Sequence, residues 1–579
     1  MVSELFLEHS QLPDTTDDSS EDRWRQSIGR FTPRQCYSSS QVLQRHINRM
    51  PADIAVMDNF DSNSQSTAHG LSEIQSFYNG TTVFLTGATG FVGNLILEKL
   101  IRTCSGVKKI YVLIREKKGK TTEERFKELF NDPVFELMKK EQPNYLEKIT
   151  AVIGDCCLPN LGIQEQHRNI MKNEVNIVIH SAATVRFDEH LRKAVNINII
   201  ALKDMLKMSQ GMRDLKAFVH ISTAYSNCAG RKVVDEVFYK PPISGDNLFQ
   251  LVNSLDDDYI DIITPSLLKE WPNTYAMTKA IAEGEIEAHG KGLPIGVIRP
   301  SMIVATDNEP VQGWINNIYG PTGVVAATGV GLMRCMCADS DQIADIVPGD
   351  FISNAVVASA WDIHNQWKKH KNSNCEVEVD GLNKEQFVPP IYNVVSSSSN
   401  PLTWGEFSAF NKKYGCHTPS IKAIWPFMLR LTKNKYEYTI LCFLLHILPA
   451  FIIDSLAKLT GRKPQLLDGY KKMHKFSEVI AYFALQSWTF HDNNTKSLIK
   501  KLSKLDQSLF RFDVAKLDWN EYFKKHVLGI RLYIFKDPMD TVPEALRRNT
   551  KLYMIHYTLM SFLVALLMLV VYGLFLLFV

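Results

Sequence analysis

The sequence has no Cys-x-x-Cys pair, no arginine-rich arm and no strong excess of either charge, and each absence removes a class of function. Ten cysteines are spread over 579 residues, and the closest sets, Cys156-Cys157 and Cys335-Met336-Cys337, lack the paired spacing of a structural zinc site. They read as buried or idle thiols in a reducing compartment, and no metal is expected. A net charge of +3 is too small to argue for a nucleic-acid partner, and none is expected. The N-terminus, MVSELFLEHSQLPDTTDDSS, carries acidic residues and no long apolar run, which excludes a secretory signal. Residues 1–75 are rich in Ser, Asp, Gln and Asn and read as a flexible extension. Internal repeats and long low-complexity segments are also missing.

The other end of the chain is different. From Tyr553 to Val579 there is no Asp, Glu, Lys or Arg. A helix of that length crosses a hydrocarbon core of about 30 Å. Arg547, Arg548 and Lys551 lie just upstream, so residues 553–579 are predicted to be a single-pass transmembrane tail with the bulk of the chain in the cytosol. Nothing follows Val579, so insertion is expected after synthesis, as in a tail anchor. The closing residues LFV carry no SKL-type address, which points to the endoplasmic reticulum rather than the peroxisome.

Between these ends the pattern is α/β. Strands are predicted at Thr82–Leu85, Lys109–Ile114, Ile149–Gly154, Val175–His180, Ala217–Ser222 and Ile295–Arg299. They alternate with helices near Gly93–Thr103, Val195–Met208 and Tyr275–His289, a grammar that predicts a doubly wound parallel sheet of Rossmann type. The expected division is a nucleotide-binding domain over 76–390, a mainly helical domain over 391–545 and the tail. Within the helical part, Tyr438–Ile453 is very apolar but short. It is read as a buried or interfacial helix, core packing being the expected role and a second span or re-entrant hairpin the alternative. Trp425 and Trp488 are read as packing residues.

Two constellations carry chemistry. The segment VFLTGATGFVG sets Gly87, Gly90 and Gly93 between a strand and a helix, with Thr86 and Phe91 flanking the turn. Glycines allow the tight turn and the approach of a pyrophosphate, and the helix N-terminus supplies free N–H groups to it. The next strand ends on Arg115, followed by Lys117 and Lys118, where an NAD site would place Asp or Glu. A guanidinium there suits the 2′-phosphate of NADP, although Glu116 leaves a solvated charged turn as the alternative. Asp155 and Ser181-Ala182-Ala183 fall where adenine and nicotinamide-ribose contacts belong in such a fold. The second constellation is Tyr275 and Lys279, one helical turn apart on one face. An ammonium beside the phenol would lower its pKa and could also hold the cofactor ribose. Ser222-Thr223 ends a strand upstream, and Arg299-Pro300 ends another downstream.

The segments TGATGFVG, VLIREKKG, HSAATVRFDE, HISTAYSN, TYAMTK and RPSMIVAT resemble the fatty acyl-CoA reductases, most of all those of insects, within the extended short-chain dehydrogenases. The later helical half resembles their male-sterility-type C-terminal domain. The resemblance implies an NADPH-dependent oxidoreductase that converts a long-chain acyl-CoA to a fatty alcohol through an aldehyde, a product usable in waxes. It implies that Gly87, Gly90 and Gly93 hold pyrophosphate, Arg115 holds the 2′-phosphate, and Thr223, Tyr275 and Lys279 are catalytic, with Ser222 the alternative to Thr223. Thr86, Phe91, Asp155, Ala182, Lys279 and Pro300 complete the expected cofactor contacts. The implied partners are the acyl-CoA substrate, the bilayer and, without direct support from any residue, a second copy in a homodimer. Competing readings are a membrane-bound sterol-type dehydrogenase and a non-catalytic lipid-associated scaffold on the same fold.

Overall fold

A computed structural model describes residues 70–377 and 386–578. Seven strands form one sheet: β1 Thr82–Thr86, β2 Lys109–Ile114, β3 Ile149–Ile153, β4 Ile177–His180, β5 Ala217–Ile221, β6 Ile295–Pro300 and β7 Ile391–Val394. Their spatial order is β3-β2-β1-β4-β5-β6-β7, and every pairing is parallel. This is a doubly wound order with its switch point between β1 and β4, where such sheets open a crevice at their carboxyl ends.

Strand alternation decides which residues meet which layer. Val83 and Leu85 face a core shared with helix α1 (Phe91–Thr103) and the long helix α3 (Gly349–Val377). Phe84 points the other way, into a core with Met205 and with Ala282 and Ile286 of helix α2 (Thr274–His289). Both faces are therefore covered, as β-branched runs without alternating polarity require.

The remaining helices that matter here are α4 (Lys435–Leu459), α5 (Leu466–Ala484) and α6 (Val542–Phe578). They belong to a helical region stitched onto the sheet. Thr489–Phe490 pairs in parallel with Val233–Val234, and Lys525 bonds Asp307 at 2.8 Å.

Three boundaries differ from expectation. The predicted domain border at 390 falls just before β7, a strand of the main sheet, so the sheet draws its last strand from the expected helical part. A four-residue run carries too little pattern to be read alone. The extension predicted to end at 75 gives way earlier, because Glu73–Tyr78 is a helix capped by Ser72, with Ile74 and Tyr78 fully buried. The rest of that extension, through residue 69, lies outside the described residues. The apolar tail helix starts upstream of Tyr553, at Val542, and runs unbroken to Phe578.

Core packing is not the role of the apolar run 438–453. Helix α4 buries Cys442, His446, Ala450 and Asp454, spaced four apart, and turns Ile440, Phe443, Leu444, Phe451 and Leu456 outward. Cys442, His446 and Asp454 thus face the protein, while most of the large apolar side chains face away.

Candidate active site

The glycine turn is built as its sequence demands. Gly87 sits at φ +76°, and a Cβ there would lie 2.7 Å from Ala182 N. A Cβ on Gly93 would lie 2.0 Å from Gly87 O, so a side chain at Gly87 would push the turn off the Ser181-Ala182 backbone and one at Gly93 would push α1 off the turn. Gly90 is the N-cap of α1 and has no side chain to close the helix end. The first N–H groups of α1 thus remain free for a ligand, with the positive end of the helix dipole behind them. Thr86 departs from its expected role. It is fully buried, its hydroxyl meets His180 Nδ1 at 2.8 Å and accepts from Ala182 N at 3.2 Å, and it braces the ends of β1 and β4 from behind the crevice.

The crevice encloses about 740 Å³. Gly87, Gly90, Phe91, Gly93, Arg115, Asp155, Ala182, Thr223, Tyr275, Lys279 and Pro300 all line it, together with Ser181 and Ala183. At the end of β2, Arg115 is half-exposed and 3.5 Å from Asp155 Oδ2. Lys117 and Arg125 line the same wall, and Arg125 donates to the Arg115 carbonyl. Burial, and then the charges of Arg115 and Arg125, depress the Lys117 ammonium. Three cations thus share this wall, with the Asp155 carboxylate beside Arg115. Arg125 carried no signal in the sequence. It sits in a charged helix ten residues past Arg115, and only the fold of the intervening turn brings it back. Lys118 does not line the crevice.

At the reacting end, Thr223 caps the short helix Ala224–Asn227 and is buried. Burial pushes the Tyr275 phenol above its ordinary value, while the Thr223 hydroxyl works in the opposite direction. The group expected to depress that phenol, Lys279, spends one N–H on Ile221 O at 2.7 Å. Burial draws the Lys279 ammonium down to about 8, against the pull of Glu283. Burial sets the direction at Tyr275, opposed by the Thr223 hydroxyl, and the Lys279 ammonium is not among the groups that shift it.

Ser222 and Thr223, left open as alternatives, have different surroundings. Ser222 Oγ donates to Glu283 Oε1 at 2.5 Å, and Ser226 and Asn227 bond the same carboxylate. Glu283 is also paired with Arg299 at 2.7 Å, both being almost fully buried. Arg299 reaches on to the carbonyls of Asp235 and Val237 at 2.8 Å. This network fixes the segment Ser222–Asn227 against α2 and β6. Ser222 is thereby committed to structure, whereas Thr223 remains beside the phenol. Arg299 is a strut rather than a crevice residue, although Pro300 next to it does line the crevice. Behind Lys279, His180 and His220 stack at 5.5 Å, and burial together with the nearby ammonium keeps both neutral.

Beside Tyr275 the wall is apolar. Phe187 lies 6.1 Å from the Tyr275 ring and 5.8 Å from Phe483, and Ile480 and Tyr319 join them. Ile480 and Phe483 come from α5, some two hundred residues after the phenol. The sequence marks that stretch only as helical, so nothing local could assign it to the site.

Comparison with known proteins agrees with this architecture. Residues 85–356 match the NAD-binding family model described as "Male sterility protein", and residues 445–537 match the Sterile model of the same description. "Fatty acyl-CoA reductase wat" of Drosophila melanogaster is 41% identical over 88% of this chain and 94% of that protein. "Fatty acyl-CoA reductase 1" of Homo sapiens is 35% identical over 85% of this chain and 92% of its own length. Human "Fatty acyl-CoA reductase 2" is 36% identical over 84% and 91%. Among solved structures, the terminal R domain from the myxalamid PKS-NRPS pathway matches at 16% identity and a TM-score of 0.49, covering 79% of this chain and 93% of that one. The topology above rests on strand pairing and not on that likeness.

Proposed function

The chain belongs to the fatty acyl-CoA reductase family, and from that premise we propose that it reduces a long-chain acyl-CoA with NADPH, twice in succession, to a primary alcohol and CoA. One observation carries the reading: a single crevice holds a glycine turn with a free helix N-terminus, Tyr275 beside Thr223, and an apolar wall of Phe187, Ile480 and Phe483. The cradle at Gly87 and Gly93, which any Cβ would fill, fits a pyrophosphate. The cluster Arg115, Lys117 and Arg125 fits the extra phosphate that separates NADPH from NADH.

NADPH, when bound, supplies hydride to the reacting carbonyl carbon. The chain's own groups do the rest. Thr223 and Tyr275 donate hydrogen bonds to the carbonyl oxygen as negative charge builds on it, and burial makes those bonds stronger than they would be in water. CoA thiolate then leaves and an aldehyde remains. In the second round Tyr275 gives its proton to the alkoxide. A reductase needs its phenol protonated before hydride arrives, and burial, which disfavours the phenolate, holds that proton in place. Lys279, anchored on Ile221 O in the same crevice, would hold and orient the ribose.

On this reading α6 is a membrane anchor, long enough at about 1.5 Å per residue to cross a bilayer with a stem to spare. Arg548 ties the stem to Ala423 O at 2.9 Å. The apolar outer face of α4 rests in the same interface, and the catalytic part faces the cytosol from the endoplasmic reticulum. Substrate and product both partition into bilayers, which is why a reductase of this class gains from being there.

The test is stoichiometry with product analysis. The full chain in detergent should oxidise two NADPH per acyl-CoA and yield alcohol, with NADH a poor substitute. Aldehyde as the sole product, or equal use of NADH, would overturn the finer assignment.

A further inference from the structure

Away from the crevice, a second set of reactive side chains converges from three elements. Cys335 lies on the short strand Cys335–Cys337, Cys442 and His446 lie one turn apart on the buried face of α4, and His474 lies on α5. Cys335 Sγ is 3.7 Å from Cys442 Sγ and 4.0 Å from the ring nitrogens of His446. His446 Nδ1 is 2.9 Å from His474 Nε2. One ligand atom from each of Cys335, Cys442 and His446 lies within 4.8 Å of the others, and all three residues are buried. Cys335 and Cys442 are 107 residues apart, so no spacing rule could have paired them.

We propose that Cys335, Cys442, His446 and His474 bind a zinc ion that pins α4 to the body of the protein. A tetrahedral zinc with Zn–S of about 2.3 Å and Zn–N of about 2.05 Å sets sulfur–sulfur, sulfur–nitrogen and nitrogen–nitrogen separations of about 3.8, 3.6 and 3.3 Å. The sulfur pair already stands at its distance, the Cys335 Sγ–His446 Nδ1 pair is about 0.4 Å longer than its ideal, and the His446 Nδ1–His474 Nε2 pair about 0.4 Å shorter. Two thiolates and two imidazoles select zinc over the oxygen-seeking magnesium and calcium. Two thiolates also cancel the ion's charge, so the loaded site is neutral, as burial requires.

Loading balances as follows. Each thiol gives up its proton and two protons leave in all. The His446 proton moves from Nδ1, where it serves the hydrogen bond to His474, to Nε2. Arg334 N–H, which donates to Nε2 at 3.1 Å, loses that acceptor. The alternative use of the cluster is the metal-free relay from Arg334 N–H through His446 to His474. That relay occupies both imidazoles but leaves the two adjacent thiols outside it. A metal link also has a mechanical use at this spot. The rest of α4 turns outward, so its attachment depends on the narrow face that carries Cys442 and His446.

The test is elemental analysis of the full chain, purified in detergent without chelator. Zinc equimolar with protein is expected. The double variant Cys335→Ser, Cys442→Ser should hold at least about tenfold less, while Cys416→Ser should hold as much as the parent. Should the double variant fail to fold, the parent chain decides. Stripped of metal under reducing conditions and given Co²⁺, it should develop the visible bands of a tetrahedral cobalt thiolate, and Zn²⁺ should abolish them. A parent chain that carries almost no zinc and shows no such bands, or a folded double variant with undiminished zinc, would overturn the proposal. These readouts do not depend on reductase activity, so the two readings stand or fall separately.

Discussion

Helices α2 and α4 both bury polar side chains, but what lies on their far sides differs. In α2, Lys279 and Glu283 are buried, the first anchored on Ile221 O and the second held by the Ser222–Arg299 network, and most of the helix is enclosed by protein. In α4 the buried face carries Cys442, His446 and Asp454, the last accepting from the backbone of Gln465, Leu466 and Leu467 at the start of α5. Its opposite face presents Phe443, Leu444, Phe451 and Leu456 to the outside. Burying charge in α2 builds a reaction site, because the partners fix each group and the surroundings exclude water. Burying polar groups in α4 leaves the apolar ones to whatever surrounds the protein, which on the proposed reading is lipid.

The comparison can be broken most forcefully at α2. Tyr275→Phe should lower turnover by about 10²–10⁴-fold while NADPH affinity, read by fluorescence titration, stays within a small factor. Unchanged turnover would remove the phenol from the mechanism. Arg299→Ala should cost about 3–5 kcal/mol of stability in denaturant unfolding, because it strands the buried Glu283 carboxylate. A loss no larger than that of a surface substitution would mean the network is slack.

Arg125→Ala should raise KM for NADPH roughly tenfold or more and leave the weak use of NADH nearly untouched, since one charge-assisted contact is worth about 1.5–3 kcal/mol. Equal effects on both cofactors would dissociate Arg125 from the 2′-phosphate. A pH profile of kcat/KM should fall as pH rises through about 8, where Lys279 loses its charge, and the raised phenol should add no limb below that. The linked effect on stability has the opposite sign. The unfolded chain holds the Lys279 proton up to about 10.4, so this group's contribution to stability increases between about pH 8 and that value.

The smallest effect belongs to the apolar wall. Phe483→Ala should shift preference among acyl chain lengths by a few-fold in kcat/KM, as one or two methylene contacts allow. On the α4 side, a chain cut before Tyr553 should still sediment with vesicles, and Phe443→Glu with Phe451→Glu should release it. Full solubility of the truncated chain without those changes would end the lipid reading of α4.

The sequence by itself determined whatever depends on neighbours along the chain. The glycine turn, Arg115, the Tyr275–Lys279 turn of helix and the apolar tail are each written within a few residues, since turn geometry, helical spacing and hydrophobic length are local properties. Tertiary structure alone decided what depends on meetings across the fold. It gave Ser222 to Glu283 and set Thr223 beside the Tyr275 phenol, brought Arg125 back to Arg115, and raised that phenol by burial where spacing suggested an ammonium would lower it. It also turned the apolar side of α4 outward and gathered Cys335, Cys442, His446 and His474 into one place. Burial and long-range contact set those outcomes, and a linear pattern records neither.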